Sequence, residues 1–258
     1  MNIDGTVSVR GDDHVAIITI ERAARRNALT PSLLGALRER IRARGQACGA
    51  MLLAGDGPAF CSGFDLTLCR ESPGGEVMRT LLTGLAEVIE AIRASPAPVV
   101  VAAHRAAVAG GCAIAAAADV VVSDAQAKLG YPVVRLGVSP AVSGPVLGVR
   151  TGFGYARERM LDSGVINGTE AARIGLVDYL VATPEEVLPY AITLAKVLAT
   201  KPRGAMCRTK AWLLELDGTG TLSAPALGAS LALTGGIEEQ NLLPAAWAER
   251  KDPPRTGR

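Results

Sequence analysis

The chain has 258 residues, enough for one domain with a large core, or a domain plus a small helical appendage. Hydrophobic residues make up 49% but aromatics only 3%, so alanine, valine and leucine must fill that core. A formal net charge of +2 gives no basic face for nucleic acid, and five cysteines without a Cys-x-x-Cys pair argue against a zinc site.

In chain order, Val15–Ile20 is a short β-branched run that reads as a strand, with Val7–Arg10 as its hairpin partner. Thr30-Pro31 marks a helix start, and Leu33, Leu34, Leu37 and Ile41 recur at helical spacing. Ala50–Ala54 is an apolar strand closed by the turn Gly55-Asp56-Gly57-Pro58. The loop Ala59–Leu66 leads into a helical region interrupted at Ser72-Pro73-Gly74-Gly75, a segment expected to be mobile. An amphipathic helix covers Leu81–Ala94. Beyond residue 119, Val120–Val122 reads as a strand, Lys128–Leu136 as strand or loop, and Gly152–Ser163 and Thr169–Ile174 as helices. From Pro184 onward the chain reads as helical, with breaks at Lys201-Pro202 and Ser223-Ala224-Pro225. Strands alternating with helices predict an α/β fold with a helical C-terminal part, divided into a core at 1–185 and a helical region at 186–258.

The stretch from Ala97 to Asp119 organises the rest. It opens as a buried strand, Val99-Val100-Val101, passes Gly110-Gly111, and continues as small apolar residues Cys112–Ala118. A tight glycine turn before a helix leaves backbone N–H groups at the helix N-terminus, where a negative oxygen is favoured. Gly110-Gly111 also has a plainer use, letting the helix pack closely on a sheet. The uncharged run Ala106–Ala118 is shorter than the ~20 residues a membrane span needs. The first residues, Met1–Gly5, lack a signal-peptide pattern, and the mixed-charge tail Arg250–Arg255 reads as solvated. Reduced thiols in a cytoplasmic protein are the simplest reading of the cysteines.

Four segments together resemble the crotonase superfamily, the enoyl-CoA hydratase/isomerase family. They are Arg25-Arg26-Asn27-Ala28-Leu29, Ala59-Phe60-Cys61-Ser62-Gly63-Phe64-Asp65-Leu66, the stretch Pro98–Asp119, and Glu170-Ala171-Ala172-Arg173-Ile174-Gly175-Leu176-Val177. The resemblance implies a spiral of ββα units with a helical C-terminal trimerisation region, in homotrimers or dimers of trimers. It implies an acyl-CoA thioester as ligand, with no further cofactor and no metal. By position, the backbone N–H groups of Phe64 and Gly110 would form an oxyanion hole. Arg26, Ala28, Ser62, Gly63, Asp65 and Gly111 would border the ligand. Of these, Arg26 matches a position that contacts CoA phosphate in some members, or is a solvated loop arginine. Asp65 matches a capping or loop position.

The sequence departs from the family where proton transfer occurs. The two glutamates of the hydratases fall at Ala113 and Val133, and neither side chain can move a proton. An aspartate used by some members falls at Ala141, and His104-Arg105 replaces the usual Asn-Gly. Classical hydration is therefore not expected, and decarboxylation or double-bond isomerisation fits better. Among substitutes, Tyr131 carries a phenol that could donate a proton or simply wall the pocket. Ser139 and Ser143 could orient water. Glu87 and Glu90 read as a solvated helix face, Asp119 and His104 as structural, and Cys61 and Cys112 as small buried thiols. Two alternatives stand beside an acyl-CoA enzyme. One is a non-catalytic acyl-CoA binder; the other, a nicotinamide-dependent dehydrogenase, rests on Gly152-Phe153-Gly154 and lacks the third glycine and a preceding strand.

Overall fold

The computed structural model describes residues 5–71 and 74–251. The N-terminal Met1–Asp4 segment, Ser72-Pro73 of the expected loop break, and most of the mixed-charge tail lie outside the described residues. β1 (Thr6–Gly11) and β2 (Val15–Glu21) form the antiparallel hairpin, with Val7 opposite Ile20. α1 (Pro31–Ala47) starts as the sequence predicts: the Thr30 hydroxyl accepts the Leu33 N–H at 3.2 Å, and Pro31 occupies the first turn, where its missing donor costs nothing. β3 (Ala50–Gly55), α2 (Leu66–Glu71), α3 (Glu76–Ala94), β4 (Val99–Ala103), β5 (Ala106–Val108) and α4 (Gly110–Ala117) follow. Five residues of α3 precede the predicted start, because Gly75 takes the left-handed conformation that admits a helix at Glu76.

Then come β6 (Val120–Asp124), β7 (Lys128–Gly130), α5 (Gly144–Asp162), β8 (Val165–Asn167), α6 (Gly168–Arg173) and β9 (Tyr179–Val181). The helices α7 (Pro184–Ala199), α8 (Arg203–Asp217), α9 (Thr219–Leu231) and α10 (Ile237–Lys251) complete the chain. The main sheet has the order β1-β2-β3-β4-β6-β9 and is parallel from β2 onward. A smaller sheet, β5-β7-β8, stands beside it. Each of β4 and β6 is followed by one strand of the small sheet and then a helix, so ββα is the repeating unit.

Strand alternation decides what covers each face. Met51, Leu53, Val99, Val101 and Ala103 point to the core shared with α1, α3 and α4. Ala50, Leu52, Ala54, Val100 and Ala102 point to the other face, which α7 covers with Val187, Ala191 and Ala195. Helix α4 is buried on every side, which its run of glycine, alanine, cysteine and isoleucine permits.

Several details differ from the sequence reading. The residues before Gly152 are also helical, and Gly152 itself (φ 77°, ψ 147°) is a break inside α5, not a nucleotide-binding turn after a strand. The three-residue strands β8 and β9 are too short to leave a periodic signal. No break occurs at Ser223-Ala224-Pro225: α9 runs through Pro225. The carbonyl that proline frees belongs to Thr221, an exposed residue, so water can satisfy it. The chain turns instead at Gly218 and around Gly235, both left-handed.

Candidate active site

Two chain segments meet at the head of α4. The first is the loop 59–65. Leu29 N–H donates to the Gly63 carbonyl at 2.8 Å and Asp65 N–H to the Leu29 carbonyl at 2.9 Å. This alternation, on either side of Phe64, turns the Phe64 N–H away from Leu29. It donates to no acceptor among the described residues. The loop is braced from beneath by two buried polar side chains that the sequence reading did not single out as working parts. Asn27, fully buried, accepts the Arg22 N–H and donates to the carbonyls of Asp56 and Ala59, each at 2.8 Å. Arg22 reaches the Asp65 carboxylate at 2.7 Å and the Ala28 carbonyl at 3.0 Å, and both members of the ion pair are buried. Asn27 lies in a motif already marked for its resemblance; Arg22 left no such signal.

Asp65 also accepts the Thr67 N–H at 3.1 Å and the Thr67 hydroxyl at 2.6 Å. Burial pushes its carboxyl up, but the hydrogen bonds from Thr67 and Arg22 outweigh it and hold the pKa below the ordinary range. Its oxygens are thus committed to loop structure.

The second segment is the turn from β5 into α4. Cys61 N–H donates to the Ala106 carbonyl and Val108 N–H to the Cys61 carbonyl, each at 3.0 Å, which lays the loop along β5. Ala109 then takes φ 51°, ψ −114°, a region alanine seldom occupies, while its N–H donates to the Gly130 carbonyl at 2.8 Å. Helix α4 starts at the next residue, so Gly110 N–H is one of the orphan donors of a helix N-terminus. It too donates to no acceptor among the described residues.

Glycines make the approach possible. A methyl group on Gly63 would lie 3.0 Å from the Ala109 Cβ and 3.8 Å from the Gly110 nitrogen. One on Gly110 would come within 3.3 Å of the Phe64 ring. One on Gly111 would lie 2.6 Å from the Cys61 carbonyl oxygen, so Gly111 serves the packing of α4 on the loop.

Phe64 and Gly110 border an inner cavity of about 80 Å³. Its walls are mostly apolar, from α3 (Met78, Leu82, Leu85) and the segment 131–143. An outer groove of about 560 Å³ shares Ser62 and Phe64 with it and is lined by Arg25, Arg26, Ala28 and Asp65. Arg26 is exposed there, held at φ 53°. A ligand with a reactive carbonyl at Phe64 and Gly110 would have an apolar chamber on one side and a basic rim on the other.

Val133 forms part of the inner wall, whereas Ala113 is buried in α4 and Ala141 lies outside that wall. Among the described residues, no Asp, Glu, His, Lys or Arg lines the inner cavity. Tyr131 does, and it is 1% exposed. Its hydroxyl is sealed from solvent against the Cys112 thiol and the Ser143 hydroxyl, and burial pushes its pKa well up. The Ser139 hydroxyl accepts the Ala141 N–H at 3.3 Å.

The other candidates lie elsewhere or are inert. Glu87 pairs with Arg38 at 2.5 Å and Glu90 is exposed. Asp119 accepts the Val99 N–H at 2.7 Å and Lys210 Nζ at 2.6 Å. His104 Nε2 is 3.0 Å from the Gly57 carbonyl. Burial raises the Cys61 thiol to about 12 and the Cys112 thiol to about 11, so neither supplies a thiolate. Among the described residues no cluster of three metal-ligating side chains occurs, and no helix is long and apolar enough to cross a membrane.

Residues 10–215 match the sequence model described as enoyl-CoA hydratase/isomerase. The chain belongs to this family. A crotonyl-CoA hydratase of Syntrophomonas wolfei is 30% identical over 230 residues, covering 86% of this chain and 88% of that one. An enoyl-CoA hydratase domain-containing protein 3 of Rattus norvegicus is 30% identical over 207 residues, covering 79% and 68%. The crystal structure of an enoyl-CoA hydratase/isomerase from Xanthobacter autotrophicus superposes with a TM-score of 0.84 at 26% identity, over 95% of this chain and 97% of that one. The spiral of ββα units is therefore the fold of the family as well as the reading of its four motifs.

Proposed function

We propose that the chain binds an acyl-CoA thioester and holds its carbonyl oxygen with the N–H groups of Phe64 and Gly110, stabilising an enolate. The observation that supports this is the pair of uncommitted amides beside one cavity. Such donors are fixed before the reaction, and losing one typically costs ~10²–10³ in rate. The exposed Arg26 is the group placed to meet a CoA phosphate, with Ala28, Ser62 and Gly63 along the groove. The reading needs no metal and no cofactor beyond the thioester.

Water addition at ordinary hydratase rates is not expected. General acid–base help is worth ~10²–10⁴, and Ala113 and Val133 leave the hydratase positions without it. Chemistry that asks little of the protein in proton transfer, such as double-bond isomerisation or decarboxylation, fits this wall better. The same wall supports a second reading, a non-catalytic acyl-CoA binder. We also propose a cytoplasmic location and a homotrimer or dimer of trimers; the exposed Trp212, Leu213 and Leu216 on α8 support self-association.

Calorimetry with acyl-CoA, run beside assays for hydration, isomerisation and decarboxylation, tests these statements. Crotonyl-CoA hydration is expected ~10²–10⁴-fold below that of a hydratase with both glutamates. Hydration at ordinary enzyme rates refutes the claim that water addition is lost. Binding with no turnover favours the non-catalytic reading, and absence of binding defeats both.

A further inference from the structure

Helix α4 carries the Gly110 N–H, yet nothing in its own sequence can hold it in place. Its eight residues are glycine, cysteine, alanine and isoleucine, all buried, with no basic side chain in the last turn. Such a helix offers its neighbours only shallow ridges to grip, and its last carbonyls have no partners within the helix. That far end lies about 12 Å from the Gly110 amide, at 1.5 Å per residue. Arg150 of α5 meets it there. Its Nε donates to the Ala116 carbonyl at 3.3 Å and its Nη2 to the Ala118 carbonyl at 2.6 Å. The remaining arm, Nη1, reaches Asp178 Oδ2 at 2.7 Å, and the Arg150 side chain is 9% exposed.

The support of this arginine comes from a motif that the oxyanion reading leaves unused, Glu170–Val177. Asp178 follows the motif directly and is itself fixed to β6. Its carboxylate accepts the Val121 N–H at 2.7 Å, and its own N–H donates to the Val121 carbonyl at 2.9 Å. Gly175, inside the motif, takes φ 84°, and a Cβ there would lie 3.0 Å from the Arg150 carbonyl oxygen. Two further cations line the same cleft but are spent on other partners. Lys210 Nζ donates to Asp119 and to the carbonyls of Ile92 and Ala97, and Arg93 pairs with Asp217. Among the described residues, Arg150 is the cation bonded to α4.

We propose that Arg150 is a positioning residue of the oxyanion hole: acting through α4, its guanidinium sets the helix register and so the aim of the Gly110 N–H. This rests on the oxyanion reading above and adds the residue that tunes it. A planar fork bonded to two carbonyls and a carboxylate fixes rotation as well as position, which a point charge does not. The Gly130 carbonyl holds the other end by taking the Ala109 N–H at 2.8 Å, so α4 is clamped at both ends. The charge acts in the same direction as the geometry. The carbonyl end of a helix carries roughly half a negative charge, and a cation bonded to it leaves the positive end at Gly110 less opposed. The field of Arg150 reaches the inner wall as well: burial raises the Tyr131 pKa, and Arg150 works against that rise.

The test is difference infrared spectroscopy of butyryl-CoA, isotope-labelled at the thioester carbonyl, bound to the full chain. Donors at Phe64 and Gly110 polarise that carbonyl, so its stretching band is expected to lie below its position in buffer. Arg150→Gln should keep about half of that band shift or less, while affinity for free CoA stays within about threefold of wild type. Arg150→Lys keeps the charge without the fork, and its band shift should fall between the two. Removing the guanidinium strands the Asp178 carboxylate, so should the glutamine variant fail to fold, the lysine variant carries the test. A full wild-type band shift in either variant overturns the proposal and leaves the oxyanion reading intact, whatever happens to the urea midpoint. Absence of any band shift in the bound wild-type chain sinks the oxyanion reading, and the proposal with it.

Discussion

The two sides of the inner cavity are built on opposite plans. The side that presents Phe64 rests on buried polar side chains: Asn27 joins three backbone groups, and Arg22 joins Asp65 to Ala28. The facing side, 131–143, rests mostly on apolar packing, with Ser230 and the Arg135 guanidinium, which donates to the Ser163 carbonyl at 2.6 Å, as polar anchors. The difference follows from what each side offers. Backbone amides can serve a ligand only if the loop cannot turn them toward a protein acceptor, so their side is over-determined by hydrogen bonds. A wall that only encloses an apolar chain offers no backbone donor to aim, so packing does most of the work there.

The contrast is broken most severely at Asp65. Asp65→Ala leaves the Arg22 guanidinium buried without its carboxylate, which is expected to cost about 3–5 kcal/mol in a urea unfolding experiment. The effect has a pH signature. The Asp65 carboxyl is held below its unfolded value, so its stabilisation is complete above the unfolded pKa of about 4 and is lost as pH falls through the folded one. The gap between wild type and variant should be widest above pH ~5 and narrow steadily below ~4. A gap independent of pH would mean the loop is held by packing alone. Because the amide side serves any thioester, acyl-CoA affinity should fall along with stability.

Ser230→Ala sharpens the contrast from the other side. It strands the Val142 N–H and the Ser139 carbonyl, at an expected cost of about 1–3 kcal/mol. Its functional mark should be the reverse of the Asp65 variant: stability falls while acyl-CoA affinity holds. If acyl-CoA affinity falls as far as in the Asp65 variant, the facing wall does not act as a separate unit.

How much of this was legible beforehand follows the same division. Thr30-Pro31, the strand at Val99 and the glycines at 110 and 111 are local signals, fixed by capping, β-branching and φ/ψ freedom, and they stand where the sequence puts them. That Ala113 and Val133 carry no ionisable group is readable in any fold. Arg22 is different: its partner lies 43 residues away, and only the crossing of β2 against the 59–65 loop makes it a buried ion pair. Strands β8 and β9, three residues each, owe their existence to register with β7 and β6 and leave no period to detect. The sealing of the Tyr131 hydroxyl against Cys112 and Ser143 is likewise a property of packing, invisible in a list of residues.

The smallest expected effect concerns the residue that joins the two sides. Ala109 sits at φ 51°, ψ −114°, between its bond to the Gly130 carbonyl and the start of α4. A non-glycine residue there stores about 1–3 kcal/mol, while glycine would add about 0.5–1 kcal/mol of unfolded-state entropy. Ala109→Gly is therefore expected to stabilise the chain by about 1 kcal/mol, read as a rise in the urea midpoint at constant slope. The alanine then has a use that stability does not measure: it narrows the conformations of the peptide that aims the Gly110 N–H. Acyl-CoA affinity should fall in the same variant that gains stability. A variant more stable and equally tight-binding would show that the Ala109 strain is incidental and that the Gly130 carbonyl alone holds the turn.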